Sequence, residues 1–412
     1  MDKKRVVVTG MGAITPVGNG VEAFWESLIA GRSGVDLITL FDCSGLSSRI
    51  GAEVKGFCAA DYDISSKLAR ETDRFIQFAL VAASQAIEES GLDLVDPYRV
   101  GVVLGTTMGG LATITEAQTQ LLGSPRSRVT PHLLPKMLPN LASAQIGIRH
   151  GLKGPSLTVS TACASGTDAV GIGASFLRSG MADVILAGGS DSLYCQLVLG
   201  SLCSAKALSR RNEKPAGASR PFDLLRDGFV IGEGSGFVVL ETLEHARRRN
   251  GLIWGEVIGY ANCSDAFHTT APEPEGKGEI HCMRQAMASA GVSPAQIDYI
   301  SAHGTATPEG DRVETLAMKE VFGPRAYELP ISSIKGATGH MMAAAGIVEL
   351  IASLKSIKEG IVPPTINYEN PDPECDLNYV PNQAQRTAVK TVLSNSFGFG
   401  GQNSSIVVRD IQ

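Results

Sequence analysis

The sequence predicts an α/β fold assembled from two duplicated βαβ halves. Three observations carry this reading. Short apolar, β-branched runs alternate along the chain with stretches of helical periodicity. The alternation halts at a polar break, His245-Ala246-Arg247-Arg248-Arg249-Asn250-Gly251, and then starts again, dividing the chain into residues 1–250 and 251–412. In both halves, apolar runs end in polar or glycine-rich loops, the strand ends at which α/β sheets place ligands. Direct similarity between the halves is too weak to establish a repeat from sequence alone.

Composition narrows the function classes. The chain has 412 residues, 43% hydrophobic and 19% charged, an ordinary globular balance with ample core. A net charge of −6 excludes a bulk electrostatic nucleic-acid binder. Met1-Asp2-Lys3-Lys4-Arg5 is followed only by Val6-Val7-Val8 before Thr9 and Gly10, too short for a secretion signal. No run of about 18 apolar residues follows either, so the expectation is a cytoplasmic protein without a membrane partner. The eight cysteines form no CxxC pair, and His281-Cys282 matches no usual metal spacing. Free thiols in a reducing compartment are expected.

The elements follow in order. Arg5 to Val8 reads as a short strand running into Gly10-Met11-Gly12. A dinucleotide loop there is rejected, because the third glycine is missing and Pro16 interrupts the required helix. Phe24–Ile29 and Asp73–Ser90 read as helices; in the second, Phe75, Phe78, Ala79, Ala82, Ala83, Ala86 and Ile87 line one face. Val100–Thr106 is a buried strand ending in the turn Thr107-Met108-Gly109-Gly110. Pro135 and Pro139 predict irregular chain over 131–141. Strands are expected at 157–161, 183–189 and 236–242, with a glycine-rich charged loop over 223–233. The second half reads as strands at 257–259, 299–302, 330–334, 392–396 and 405–408, and helices at 280–290, 311–321 and 341–357.

Cys163 stands where the strand 157–161 hands over to a long apolar helix pattern. Unpaired N–H groups and the positive dipole end of a helix favour a thiolate there, and Ala162, Ala164, Ser165 and Gly166 leave room beside the sulfur. A buried cysteine packing as a small hydrophobe is the competing reading. Three strand-end loops of the second half bear on the choice: His303-Gly304-Thr305-Ala306-Thr307, Lys335-Gly336-Ala337-Thr338-Gly339-His340, and Phe397-Gly398-Phe399-Gly400-Gly401. Taken singly, each is an ordinary structural feature. Together with Cys163 they compose a reaction: a thiolate accepts an acyl group, two neutral imidazoles polarise a second thioester, and loop N–H groups hold an oxyanion.

These words and their order resemble the elongating (type II) β-ketoacyl-acyl carrier protein synthases of the thiolase superfamily, over essentially the whole chain. Ala162-Cys163-Ala164-Ser165-Gly166 resembles the nucleophile motif. His303-Gly304-Thr305-x-Thr307-Pro308-x-Gly310-Asp311 with Glu314 resembles the first histidine motif. Lys335-x-x-Thr338-Gly339-His340 with Glu349 resembles the lysine–histidine motif, and Asn395-Ser396-Phe397-Gly398-Phe399-Gly400-Gly401-x-Asn403 the gate and oxyanion loop. The resemblance implies a thiolase-like, five-layer αβαβα core. It implies an acyltransferase that condenses malonyl-carrier protein with an acyl chain held on Cys163, extending it by two carbons in fatty acid biosynthesis. His303 and His340 would bind the malonyl carbonyl, and Lys335 would hold the second histidine and its neighbours. Phe399, with Phe397 and Gly400, would form the oxyanion site and gate beside the Cys163 N–H. Thr305 and Thr307 would bind phosphopantetheine, with Asp265, His268 and Thr270 on a second loop at the entrance. Met108, Leu133 and Leu202 would line the acyl pocket. No metal or cofactor is implied beyond the 4'-phosphopantetheine of the carrier. Cys-His-His sets the chain apart from initiating synthases, which carry Cys-His-Asn. Ala306, Gly336-Ala337, Gln402 and Ser404 depart from the family's usual residues and leave chain length and pathway open.

The implied partner is an acidic acyl carrier protein, for which Lys67, Arg70, Arg74, Arg126, Arg128, Arg210 and Arg211 are candidate docking charges. The family implies a homodimer in which the Leu133-Leu134 region helps close the partner's pocket. The alternative is a ketosynthase subunit of a specialised type II polyketide or polyene pathway, paired with a cysteine-less chain-length factor. A Cys–His hydrolase or a non-catalytic scaffold is the reading from a different class.

Overall fold

The computed structural model describes residues 4–93, 96–123 and 128–411. The first half is built on strands β1 (Val6–Thr15), β2 (Val100–Gly105), β3 (Ser156–Val159), β4 (Val184–Asp191) and β5 (Gly234–Thr242). The second is built on β6 (Gly255–Ser264), β7 (Tyr299–Ser301), β8 (Ile331–Ser332), β9 (Thr391–Gly398) and β10 (Gln402–Arg409). The strands lie in the order β3-β2-β4-β5-β1 in one half and β8-β7-β9-β10-β6 in the other. In each half the second strand runs parallel to the third and fourth, and the fifth runs antiparallel to the fourth and first. The two halves therefore correspond strand for strand, a duplication that the residues themselves no longer display. Val6, Val7 and Val8 of β1 also pair with Val257, Glu256 and Gly255 of β6, so the sheets meet edge to edge.

Five helices complete the layers: α1 (Arg74–Ser90), α2 (Ser165–Ser179), α3 (Lys277–Ala290), α4 (Pro308–Phe322) and α5 (Ala345–Glu359). α1 covers the outer face of the first sheet, while α3 packs on β6 and β10 on the outer face of the second, with α4 beside it. α2 and α5 lie between the sheets and touch both. This explains why every residue of α5 from Ala345 to Ile357 is buried, Glu349 and Lys355 included. The arrangement is the expected αβαβα stack. Among the described residues no helix is long and apolar enough to cross a membrane.

The structure corrects three local expectations. β1 does not stop at Val8 but runs unbroken in burial to Thr15. Its glycines serve contact with α1: a Cβ on Gly10 would sit 2.1 Å from the Ala86 carbonyl oxygen, and one on Gly12 2.0 Å from that of Ala82. The segment expected to be irregular contains a short helix, Leu133–Met137, and another at Leu141–His150. Pro135 is tolerated because it occupies the first turn, whose N–H groups have no helical acceptor, and Pro139 falls between the helices. The helix expected from Met341 is broken. Met342 has φ 51°, Met342–Ala344 form a 3₁₀ turn, and α5 begins only at Ala345. The cause is Asp191 at the end of β4, which takes the Ala343 N–H at 2.9 Å.

Candidate active site

The turn from β3 into α2 is a strained elbow. Ala162 has φ 50°, a left-handed conformation that costs an alanine about 1–2 kcal/mol. The surroundings fix it in place. Ser165 Oγ accepts the Thr161 N–H at 2.9 Å and donates to the Ala162 carbonyl at 2.6 Å. Thr161 Oγ1 donates to Asp168, which also accepts from Tyr260 and Asn262 of the other sheet. Cys163, 6% exposed, is thereby presented immediately before the first turn of α2. A Cβ on Gly398 would approach the Cys163 nitrogen to 3.0 Å, so glycine lets β9 lie against the elbow. The backbone N–H groups of Phe399 and of Cys163 itself favour the ionised form of the sulfur.

His303 follows β7. Its own N–H and that of Gly304 are taken by Glu314 of α4, at 2.8 and 2.7 Å. Lys335 donates to the His303 carbonyl at 2.6 Å, lies 3.4 Å from His303 Nδ1, and pairs with Glu349 of α5. Here the structure corrects the expected role of Lys335. It holds the first histidine rather than the second, because β8 delivers its side chain beneath the end of the parallel neighbour β7. An ammonium can only donate, so Nδ1 of His303 is the acceptor and its proton sits on Nε2. His340 is anchored through its backbone: its N–H donates to Val230 and its carbonyl accepts from Gly232. Its Nε2 lies 3.0 Å from Cys163 Sγ. The two imidazole rings meet edge to face, 5.4 Å apart at 85°.

Electrostatics define the resting state. Burial, reinforced by the Lys335 charge, holds both imidazoles well below the usual histidine range, so both are neutral. Burial also pushes the Cys163 thiol up to about 11, against the opposing pull of Lys335 and the Phe399 N–H. The helix-start argument for a standing thiolate is therefore overruled by desolvation; the resting pair is a thiol and a neutral imidazole. The sulfur and one nitrogen of each histidine lie within 4.8 Å of one another. That geometry suits either relay chemistry at sulfur or three ligands of a tetrahedral metal site.

A cavity of about 400 Å³ opens onto this trio. Its wall includes Thr305, Thr307, Thr270, Asp265, Phe397 and Phe399, all expected site residues. The hydroxyls of Thr305 and Thr307 are 3.0 Å apart on one side of the wall. Gly400 donates its N–H to Thr269 at 2.8 Å, Asp265 donates its own to Gly401 at 2.9 Å, and Asn403 donates to the Asp265 carboxylate. The two expected loops are thus tied to each other. Gly400 and Gly401 have φ of 83° and 66°, a conformation suited to glycine. His268 is exposed and accepts the Thr270 and Ala271 N–H groups, so it shapes its loop rather than facing the sulfur.

Other expected residues fall elsewhere. Leu202 packs into an apolar cluster that includes Phe229 and Met342, behind the cavity wall. Met108 and Leu133 lie outside the cavity's wall in a single chain, Met108 being 42% exposed. Lys67, Arg70 and Arg210 are exposed, as docking charges must be. Arg211 is partly engaged by the Leu225 carbonyl and Asp227. Arg74 is corrected: its guanidinium binds buried Glu233 and the Val54 carbonyl and covers the Phe78 ring, leaving no free charge. Arg126 lies outside the described residues. Two residues escaped sequence reasoning. Asp191 ties the His340 loop to Thr106 and Thr107, and burial pushes its carboxyl up to about 6. Lys206 stands exposed at the cavity wall with φ 55°. An acid at a strand end signals the first; nothing local distinguishes the second from any surface lysine.

Known proteins bear on the same site. Residues 3–246 match the family profile described as Beta-ketoacyl synthase, N-terminal domain, and residues 254–369 match its C-terminal domain. The 3-oxoacyl-(acyl-carrier-protein) synthase 2 of Coxiella burnetii is 45% identical over 410 residues, 99% of each chain. That of Synechocystis is 45% identical over 414 residues, all of this chain and 99% of the relative. Among solved structures, the ishigamide ketosynthase/chain length factor superposes over the full length of both chains with TM-score 0.93 and 35% identity. A ketosynthase complexed with its type II polyketide acyl-carrier protein gives TM-score 0.92 and 36% identity, again over all of both chains. With both halves matched and relatives aligned end to end, the chain belongs to the beta-ketoacyl synthase family.

Proposed function

We propose that the protein is a β-ketoacyl-acyl carrier protein synthase that elongates fatty acyl chains by decarboxylative condensation. The observation that carries this is the 3.0 Å approach of His340 Nε2 to Cys163 Sγ, with a second neutral histidine edge-on to the first. His340 Nε2 accepts the thiol proton as sulfur attacks the incoming acyl thioester, and the departing carrier thiol takes the proton away. With its proton on Nε2, His303 then donates to the carbonyl oxygen of the malonyl thioester and stabilises the charge that develops there as CO2 leaves. The enolate carbon attacks the acyl group on Cys163, and the tetrahedral oxyanion lies against the N–H groups of Cys163 and Phe399. Collapse of the oxyanion breaks the acyl–sulfur bond and releases Cys163 as the thiolate, which is reprotonated, so each cycle consumes one proton and releases one CO2.

No metal or cofactor enters this scheme; both substrates arrive on phosphopantetheine, for which Thr305, Thr307 and Thr270 line the approach. A metal held by the same trio would pin the sulfur and block acylation, so chelator treatment should leave the rate unchanged. Carrier protein docks on Lys67, Arg70, Arg210, Arg211 and Lys206, of which the last stands at the cavity mouth. Two copies pair through β3, which lies at the edge of the sheet beside β2 and carries exposed Leu157. We place the enzyme in the cytoplasm, with the soluble carrier. The heterodimeric alternative draws on the ishigamide ketosynthase/chain length factor at 35% identity, but the 3-oxoacyl-(acyl-carrier-protein) synthase 2 relatives are more similar, at 42–45% identity. Condensation by the purified protein alone separates the two: a homodimer is self-sufficient, whereas a subunit awaiting a chain-length factor is not.

A further inference from the structure

Two thiols outside the catalytic trio face one another beneath the gate. Cys263 lies near the end of β6 and Cys282 within α3, and the segment between them carries Asp265, His268 and Thr270. Each thiol donates to the backbone of the other's element. Cys263 Sγ lies 3.3 Å from the Gly278 carbonyl oxygen, and Cys282 Sγ lies 3.4 Å from that of Ala261. Crossed in this way, the two thiols lie across the same contact between β6 and α3. They are not equivalent. Cys282 is fully buried, whereas Cys263 is only half-buried. The neighbouring Cys282 draws the Cys263 pKa down, with Asn403 helping and burial and Asp265 opposing. A half-buried thiol crossed with a fully buried one on the adjoining element has the make-up of a redox-active pair.

We propose that Cys263 and Cys282 form a redox modification site that a peroxide-class oxidant closes to a disulfide. The Cys263 thiolate attacks one peroxide oxygen, breaking the O–O bond and giving a sulfenic acid and hydroxide. The Cys282 sulfur then displaces the sulfenic hydroxyl, forming the S–S bond, and its proton leaves with that hydroxyl as water. Two thiols lose two electrons and the peroxide gains them. The disulfide fastens β6 to α3 at both stems of the loop that Asp265, Thr269, Gly400, Gly401 and Asn403 tie to the gate. Oxidation therefore restrains the gate over Cys163. That consequence rests on the condensing-enzyme reading above; the disulfide itself does not. Cys163 is spared at rest, since its thiol is buried and protonated at neutral pH.

The test is graded hydrogen peroxide treatment of the full chain, alkylation of the remaining thiols, and mass spectrometry of the digest. The expected result is a dithiothreitol-reversible peptide pair joined through Cys263 and Cys282, formed at lower peroxide doses than oxidation of Cys163. In Cys282→Ala, Cys263 should stop at the sulfenic acid and be trapped by dimedone. Condensation should fall in step with the cross-link, return on reduction, and resist the same doses in Cys263→Ser. Full alkylation of both cysteines at doses that already oxidise Cys163 would overturn the site. A cross-link that leaves condensation unchanged would overturn its coupling to the gate. Because the cross-link is read by mass, failure of the condensing-enzyme reading would leave it standing.

Discussion

Cys163 is both buried and protonated at rest, and the two facts share one cause: the walls that exclude water raise its pKa to about 11. Its alkylation by iodoacetamide should therefore rise about ten-fold per pH unit from neutral pH to about pH 9.5, without the plateau of an ordinary thiol near 8.5. A plateau in that window would mean that the helix start outweighs burial. Cys163→Ala should lower condensation by about a thousand-fold or more, read as product formation at saturating substrates. Cys163→Gln should keep malonyl decarboxylation, because both imidazoles remain; silence in that variant would count against their assigned roles. Lys335→Met leaves Glu349 buried and uncompensated, and should cost about 3–5 kcal/mol in denaturant unfolding. The double variant with Glu349→Leu should recover much of that stability but not the rate, because Nδ1 of His303 has lost its donor. At this scale the sequence was informative: Cys163, His303, Lys335 and Phe399 follow strand ends, and His340 follows the short helix that Lys335 opens, all in recognisable words. The partner of Lys335 was not legible, because pairing across neighbouring parallel strands leaves no trace in linear spacing.

Elements hold the trio through close backbone approaches. A Cβ on Gly189 would lie 2.3 Å from the Ala343 carbonyl oxygen, and one on Gly166 2.4 Å from the same atom. β4, α2 and the loop after His340 thus meet with no room for a methyl group. Gly189→Ala should cost about 1–3 kcal/mol and reduce turnover by moving His340 from the sulfur, with KM less affected. Glu314 provides a pH test. Burial raises its pKa from 4.5 to about 7 in the folded protein, despite the two N–H bonds that oppose the rise. The folded state therefore holds this proton more tightly than the unfolded one. The resulting stability is complete below 4.5 and is lost as pH rises through 7. Glu314→Gln should flatten that part of the stability profile measured by chemical denaturation. Helical periodicity revealed α1 and most of its buried face, though Ile87 is only partly buried and Ile76, Leu80 and Val81 are buried as well. It could not reveal that Gly10 and Gly12 belong inside a strand, or that Asp191 breaks the helix expected at Met341. Both depend on contacts between segments far apart in the chain.

The frame of the molecule is two five-stranded arrays of the same order, joined edge to edge through β1 and β6, with α2 and α5 between them, and the site forms where the halves meet. The first half contributes the nucleophile; the second contributes both histidines, the lysine and the gate. The restart of pattern after residue 250 made the two halves legible, whereas their strand-for-strand identity required coordinates. Docking charges were the least legible feature, since a lysine or arginine run reads alike whether free, as at Lys67 and Arg70, or folded inward, as Arg74 is. If β3 joins two copies, Leu157→Asp should convert a dimer to a monomer in sedimentation, and an unchanged dimer would move the interface elsewhere. The central claim is that this chain condenses on its own. Purified protein is given malonyl-carrier protein and a ladder of saturated acyl-carrier proteins, and the carriers are weighed intact. The account expects β-ketoacyl-carrier protein two carbons longer than the primer, with acyl-Cys163 as the intermediate. Free fatty acid in place of extended product, or no acylation of Cys163 with any primer, would contradict it.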